Sequence, residues 1–167
     1  TEFLKKNGLF GGLSRSFDNI RDIARYYAQS VKAIEMGSAI SPDKLLYEYE
    51  DYVMFHVINV CSASQDIESF CHSSLYTLME YDRKNGTDLT RILYKYLTND
   101  KKVVETADEL GIHRNTLSYR IARIEQIMNV DLSKSDVLLH LLFSFNILKY
   151  KNQAGLLNGV DKAQAIK

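Results

Sequence analysis

The sequence of 167 residues has no tryptophan, one proline and two cysteines. It also lacks any apolar run approaching the roughly 18–20 residues that a membrane span requires. The first six residues are mostly polar or charged and no long apolar stretch follows them, so there is no signal-peptide pattern. With 46% hydrophobic residues, the chain is long enough for one or two domains with buried cores. These features predict a cytoplasmic protein with no membrane partner.

Residues that could hold a metal or catalyse a reaction are few and scattered. Cys61 and Cys71 have neither a zinc nor a redox spacing, and we interpret them as small core or near-surface residues without a disulfide. The four histidines form no HExxH-type pair, and His140 is expected in the core or at an interface. The sequence therefore predicts no metal, no cofactor and no enzymatic activity. A small-molecule pocket within residues 1–85 stays an open alternative.

The chain has no net charge, but its charges are unevenly distributed. Residues 1–88 contain 9 basic and 13 acidic residues, whereas residues 89–151 contain 10 basic and 7 acidic residues. The excess of positive charge therefore lies in the second half of the chain.

The first part of the chain is predicted to be a small α+β segment. Apolar residues at helical spacing predict a helix over residues 17–36, which Gly37 should end. A tyrosine-rich stretch predicts a short strand over residues 45–52, with a helix or buried segment over 53–60. An amphipathic helix is expected over residues 66–82.

The second part is predicted to be helical throughout, over residues 89–97, 103–110, 113–128 and 136–150. The last of these helices is apolar on nearly every side. It must therefore be buried, either in its own domain or against a second copy of the chain. Ser133 or Ser135 is expected to cap it.

A break at residues 84–87 is the expected domain boundary. We therefore predict a mainly α protein with three parts. They are a regulatory or cyclase-like domain in residues 1–85, a helix-turn-helix domain in residues 86–151, and a tail in residues 152–167.

Residues 102–126 satisfy the physical requirements of a helix-turn-helix. Gly111 supplies the tight turn between the two helices, and Ala107 is the small residue that their close approach requires. The expected core residues of this motif are Val103, Val104, Leu110, Ile112, Leu117, Ile121, Ile124 and Met128.

The opposite face of the second helix, about His113–Gln126, is small, polar or basic. From Ile112 to Arg123 there are three arginines and no acidic residue. This pattern is typical of a helix that enters the major groove of DNA, where arginine can bind guanine and asparagine can bind adenine. The residues expected to face the bases are Arg114, Asn115, Ser118 and Tyr119. The residues expected to contact the DNA backbone are Lys101, Lys102, His113, Thr116, Arg120 and Arg123.

Two alternatives stay open at this point. A helix-turn-helix shape also occurs in all-α modules that bind proteins and not DNA. Arg120 flanks the core side of the helix, so it could bind an acid such as Glu105 in place of a phosphate.

The stretch TADELGIHRNTLSYRIARIEQIMNVDL resembles the C-terminal domain of PucR/CdaR-type regulators. The match covers about residues 88–150, and its HRNTLSYR core is highly specific. The turn and second helix also resemble the DNA-binding half of Fis. The family's usual serine or threonine cap is replaced by Lys101-Lys102, so Asp100 is expected to cap the first helix, or that helix frays. Asn129 is expected to make the turn for which the family commonly uses glycine.

The resemblance implies a bacterial transcription regulator that binds specific DNA sequences. Residues 11–14, the helix ending at Gly37 and residues 47–52 resemble the closing part of a degenerate GGDEF-like domain, without an intact motif and hence without cyclase activity. The chain begins at Thr1, and we expect it to be a fragment of a longer protein. The expected partners are double-stranded DNA, a second copy of the chain, and a small-molecule effector bound by the missing N-terminal part.

Overall fold

The computed structural model describes residues 2–151, which form eight α-helices and one two-stranded parallel sheet. They fold as two compact units: the first ends at Ile67 and the second begins at Glu68. The prediction of a mainly α fold with a small α+β segment is therefore confirmed. Among the described residues, no helix has the length and apolar character needed to cross a membrane. The tail predicted for residues 152–167 lies outside the described residues.

The first unit is a parallel pair of strands joined by a helix. Its elements are α1 (Glu2–Asn7), β1 (Gly11–Leu13), a 3-10 turn (Ile20–Asp22), α2 (Ile23–Ile40), β2 (Leu46–Glu48) and α3 (Tyr49–Ser62). Gly12 lies opposite Tyr47 in the sheet. Parallel strands need a crossover connection, and α2 supplies it. The buried apolar residues of α2, β2 and α3 are Ala33, Met36, Tyr47, Tyr49, Tyr52, Phe55 and Ile58.

Gly37 lies inside α2, so the prediction that it ends the helix is wrong. A side chain at this position would overlap the ring of Tyr47, so the glycine allows β2 to approach the helix closely. The helix continues to Ile40 and stops before Pro42. This is expected, because a proline disfavours the helical conformation in the residue that precedes it. The start of the helix also differs, because Phe17 precedes it and stacks on Tyr26 with ring centroids 4.5 Å apart.

The strand predicted over residues 45–52 has only three residues, because α3 begins at Tyr49. Tyr49, Tyr52 and Phe55 are all buried and follow the spacing of a helix face. Tyr49 and Tyr52 therefore pack as part of a helix, and only Leu46–Glu48 of the predicted stretch form the strand.

The second unit contains five helices. After a 3-10 turn (Ile67–Phe70) come α4 (Ser73–Asn85), α5 (Leu89–Thr98), α6 (Val103–Leu110), α7 (Arg114–Met128) and α8 (Ser135–Tyr150). One buried apolar cluster joins all five helices. Its members are Leu75, Leu78, Leu89, Ile92, Leu93, Leu97, Ala107, Leu117, Ile121, Ile124, Met128, Leu132, Leu141, Phe145 and Leu148.

The helix expected over residues 66–82 is divided into the 3-10 turn and α4. His72 caps α4, because its Nδ1 accepts a hydrogen bond of 3.3 Å from the Ser74 N–H. The helix ends at Gly86, which has a φ of 64°. Because α4 packs against α5 and α7, the break predicted at residues 84–87 is the end of α4 and the turn at Gly86, and it lies within the second unit. The boundary between units therefore falls at 67/68, earlier than the expected 85/86.

The composition of α8 suggested a helix that is buried on nearly every side, but the structure leaves part of this helix exposed. Leu141, Phe145 and Leu148 are buried, whereas Leu139 is 68% exposed. His140 is exposed and is not a core residue; its Nε2 hydrogen-bonds to the carbonyl oxygen of Phe70 at 2.9 Å. The residue that precedes the helix is Lys134, so neither of the two serines expected to cap it does so.

Candidate nucleic-acid interface

α6 and α7 form the predicted helix-turn-helix. Gly111 ends α6 with a φ of 64°, a conformation that glycine adopts without strain. The Ile112 N–H then donates a hydrogen bond of 3.0 Å to the carbonyl oxygen of Ala107, which closes the last turn. Ala107 is buried, in agreement with the expected need for a small residue.

The inner face of α7 holds the helix on the core. Leu117, Ile121, Ile124 and Met128 are buried, as their spacing predicts. Asn129 ends the helix with a φ of 51°, so the prediction that it replaces a turn glycine is confirmed. Val104 of α6, expected in this core, is 58% exposed instead.

His113, the residue immediately before α7, is hydrogen-bonded to the first turn of that helix. The Nδ1 atom of His113 accepts a hydrogen bond of 3.2 Å from the Asn115 N–H. His113 is therefore an N-cap, and its ring lies at the positive end of the helix.

The outer face of α7 is open to solvent. Tyr119 is 73% exposed and is the most exposed large hydrophobic side chain of the motif. The other exposed residues of this face are Arg114, Asn115, Thr116, Ser118, Ala122 and Arg123. Eight of the residues predicted to contact DNA are His113 and residues of α7. Seven of them are exposed on this surface, and the eighth, Arg120, is half-buried.

Arg120 differs from the other two arginines of α7. Its Nη1 lies 3.6 Å from Oδ1 of Asp88, the residue that precedes α5. An acidic partner for Arg120 was one expected alternative, but the partner is Asp88 and not Glu105. Arg114, in contrast, takes part in none of the ion pairs found within residues 2–151.

The two lysines before α6 are engaged with other groups. Nζ of Lys101 donates to the carbonyl oxygen of Leu132 at 3.5 Å, and Lys101 lines a cavity with Ile121 on the inner side of α7. Lys102 forms an ion pair of 3.2 Å with Glu105 of its own helix. The structure therefore does not bring Lys101 to the exposed face of α7.

Asp100 does not cap α6, contrary to expectation. The N-cap is Lys102, whose side chain makes no capping hydrogen bond. Asp100 and Lys101 instead have positive φ values of 52° and 62°, which form a tight turn after α5.

Sequence reasoning missed the acidic residues that position the helices. Oε1 of Glu125 accepts the N–H of Leu132 at 2.9 Å and so fixes the connection between α7 and α8. The carboxylate of Asp82 accepts the N–H groups of Leu89 and Thr90 at 2.9 and 2.7 Å and so caps α5. No periodicity in the sequence indicates these contacts, because each one joins different elements.

The described residues contain no group of three or more histidine, cysteine or acidic residues arranged to hold a metal ion. Cys71 is buried and Cys61 is half-buried, and the two form no disulfide bond.

The two helices, the left-handed turn and the exposed basic face define a helix-turn-helix domain of the DNA-binding class. Within that class, residues 89–147 match the PucR C-terminal helix-turn-helix domain. The resemblance noted from the HRNTLSYR stretch is thus confirmed. These comparisons give no support for a GGDEF-like domain upstream.

Several transcriptional activators are similar to this chain. The proline-responsive transcriptional activator PutR of Bacillus subtilis (strain 168) is 23% identical over 144 residues, which cover 86% of this chain and 35% of PutR. The DNA-binding transcriptional activator AdeR of the same organism is 26% identical over 124 residues, 74% of this chain and 29% of AdeR. The transcriptional activator PmfR of Paenarthrobacter nicotinovorans is 47% identical over 58 residues, 32% of this chain and 12% of PmfR.

The chain therefore spans at most about a third of the length of these relatives. No solved structure matches it.

Proposed function

We propose that this chain is the DNA-binding part of a transcription regulator and that α7 reads a specific sequence in the major groove. The observation that carries the proposal is the two-sided character of α7. Leu117 and Ile124 are completely buried, while Arg114 and Asn115 project from the first turn into solvent. A helix held in this way can enter a groove about 12 Å wide without losing its own packing.

The exposed residues divide into two roles. Arg114 and Asn115, with Ser118 and Tyr119 one turn later, face the base edges in this proposal, because the N-terminal residues of a recognition helix enter the groove first. Thr116, Arg123, Lys102 and His113 contact phosphates and set the position of the helix.

Arg120 and Lys101 have a different role in this proposal. The ion pair between Arg120 and Asp88 links α7 to the start of α5, so Arg120 orients the recognition helix. The contact of Lys101 with Leu132 does the same for the connection that follows α7.

We propose that two copies bind together. A single helix-turn-helix module buries only about 600–1,000 Å² on DNA, which gives limited specificity. A homodimer would place two recognition helices one DNA turn apart, roughly 34 Å. The exposed Leu139 of α8 is our candidate for the contact between copies.

We also propose that the protein responds to a small molecule and acts in the cytoplasm. PutR is named as proline-responsive, and the carbohydrate diacid regulator of Escherichia coli (strain K12) is 27% identical over 124 residues. By analogy with these names, the effector would be a metabolite bound outside the helix-turn-helix domain.

Selection of bound sequences from random DNA tests the central proposal. We expect a consensus, and we expect the logarithm of the binding constant to fall linearly with the logarithm of salt concentration, because bound phosphates release counterions. Arg114→Ala should weaken binding to the selected sequence roughly ten- to hundredfold and relax the preference at one base pair. Fluorescence anisotropy with labelled duplexes measures both quantities.

Arg21→Ala is the matched control, because Arg21 is an exposed arginine of the first unit and its loss changes the net charge equally. A protein-binding module would give no consensus and almost no salt dependence. If Arg114→Ala binds as well as wild type, α7 does not read the bases in the proposed way. A palindromic consensus supports the homodimer, and a single half-site contradicts it.

A further inference from the structure

Arg123 is an exposed arginine whose position is set by neutral groups. Its guanidinium carbon lies 5.7 Å from the centre of the Tyr81 ring, which belongs to α4. Its Nη1 also donates to Oε1 of Gln126 at 3.3 Å. Within residues 2–151 it takes part in no ion pair with a carboxylate. The charge of Arg123 is therefore oriented without being neutralised.

Arg123 and Arg120 differ in how available their charges are to a phosphate. A phosphate that approached Arg120 would have to compete with Asp88. A phosphate that approaches Arg123 meets a guanidinium with its charge still available, since an aromatic ring attracts a cation without cancelling its charge. The side chain of Tyr81, chiefly through hydrogen bonding, also raises the pKa of Arg123, so the contact favours the charged form that arginine already has at neutral pH.

Tyr81 is itself held in a fixed place. It is half-buried and packs against the cluster that joins α4 to α8. The neighbouring Asp82 accepts two backbone N–H groups of α5, so the last turn of α4 is tied to the next helix. α4 also packs directly on α7. The Tyr81 ring is therefore a rigid support beside the exposed face of the recognition helix.

We infer that Tyr81 is a positioning residue for DNA binding: its ring holds the Arg123 side chain in the orientation that contacts a DNA phosphate. This inference rests on the proposed function. A free arginine side chain has many rotamers, and restricting them before binding lowers the entropy lost in the complex. Through Tyr81, α4 thereby contributes to DNA affinity, although Tyr81 itself does not touch the DNA.

The test is a double-mutant cycle with the full chain and the DNA selected above. Tyr81→Leu should weaken binding about two- to fivefold, the range expected for a cation–π contact at an exposed site. In an Arg123→Ala background, Tyr81→Leu should have no further effect, because the side chain it positions is gone. Tyr81→Phe keeps the ring and should lie between wild type and Tyr81→Leu.

Salt dependence gives a second readout, which shows whether Arg123 contacts a phosphate; the coupling in the cycle is the readout that a merely structural role of Tyr81 would not produce. Arg123→Ala should lower the slope of the log–log salt plot by about one, the value for one lost phosphate contact. Tyr81→Leu should leave that slope nearly unchanged, since the charge remains in the protein. Tyr27→Leu is the control, because Tyr27 is an exposed tyrosine of the first unit.

The outcomes separate the positioning role of Tyr81 from the proposed DNA-binding function. Equal losses from Tyr81→Leu with and without Arg123 would overturn the positioning role and leave the proposed function intact. If wild-type protein shows neither a consensus nor a salt slope, the proposed function fails and the phosphate role of Arg123 fails with it. Far-UV circular dichroism and a urea unfolding curve establish that each variant is folded. If Tyr81→Leu does not fold, Tyr81→Phe carries the cycle.

Discussion

The two units of this chain are built with very different amounts of buried apolar surface. In the second unit, fifteen buried residues from α4 to α8 form one cluster. In the first unit, α2 exposes the helical stripe Ile23, Tyr27 and Val31, and α3 exposes Met54, Val57 and Val60. Each of these six side chains is between 41% and 70% exposed, so the first unit leaves apolar stripes open on both of its long helices.

This difference separates a unit with a closed core from one whose core is open. Parallel sheets are normally covered on both faces, and the first unit has only two short parallel strands. The proposed DNA-reading unit thus has a closed apolar core, and a packed core of this kind holds a recognition helix rigidly. Exposed apolar stripes such as those on α2 and α3 are typical of contact surfaces.

The largest expected effect compares one buried and one exposed isoleucine. Ile124→Ala in α7 should lower the free energy of unfolding by about 2–5 kcal/mol, because Ile124 is fully buried and the change leaves a cavity. Ile23→Ala in α2 should lower it by less than about 1 kcal/mol, because Ile23 is 53% exposed. Urea unfolding followed by far-UV circular dichroism measures both. Equal losses would break the comparison and show that the α2 stripe is covered in solution.

The next effect concerns the close approach of α2 and β2 at Gly37 in the first unit. Gly37→Ala should destabilise that unit by about 1–3 kcal/mol, because the new methyl group overlaps the ring of Tyr47. Gly11→Ala is the control, since its Cβ would lie 3.5 Å from Cδ1 of Leu46, an ordinary contact. Thermal unfolding of the two variants measures the difference. An unchanged midpoint for Gly37→Ala would mean that β2 can move away from α2 at little cost.

The smallest effect is a pH dependence in the second unit. Burial, and then the neighbouring His140, lower the pKa of His72. The folded state binds this proton less tightly than the unfolded state, so the stabilisation is complete above the unfolded pKa of about 6.5 and is lost as pH falls through the folded pKa. A protonated Nδ1 can no longer accept the Ser74 N–H that caps α4.

We therefore expect the free energy of unfolding to fall by about 1 kcal/mol, the usual contribution of an N-cap, between about pH 7 and pH 5. His72→Asn keeps a capping acceptor that does not titrate and should give a flatter curve over the same range. Urea unfolding at a series of pH values compares the two proteins. Parallel curves would show that His72 is not the group responsible.

Much of the helix-turn-helix could be predicted from the sequence, whereas the first unit was predicted less well. The stripe of Leu117, Ile121 and Ile124 has a strict helical period, and Gly111 marks the turn, so local patterns were sufficient there. In the first unit, Tyr47 and Tyr49 have the spacing of a strand face while Tyr49 and Tyr52 have that of a helix face, and Gly37 has the position of a helix end but serves a tertiary contact. The DNA contacts of the α7 residues stay predictions.

The sequence by itself determined the existence of α6 and α7, the polar and basic composition of the outer face of α7, and the match of residues 89–147 to the PucR C-terminal helix-turn-helix domain. These properties depend on neighbours within one or two helical turns, so they are visible in the order of residues. Tertiary structure alone decided that Asp88 pairs with Arg120, that Tyr81 supports Arg123, and that α4 belongs to the second unit. Those partners are more than thirty residues apart in the chain, and only the packing of α4, α5 and α7 around one core brings them together.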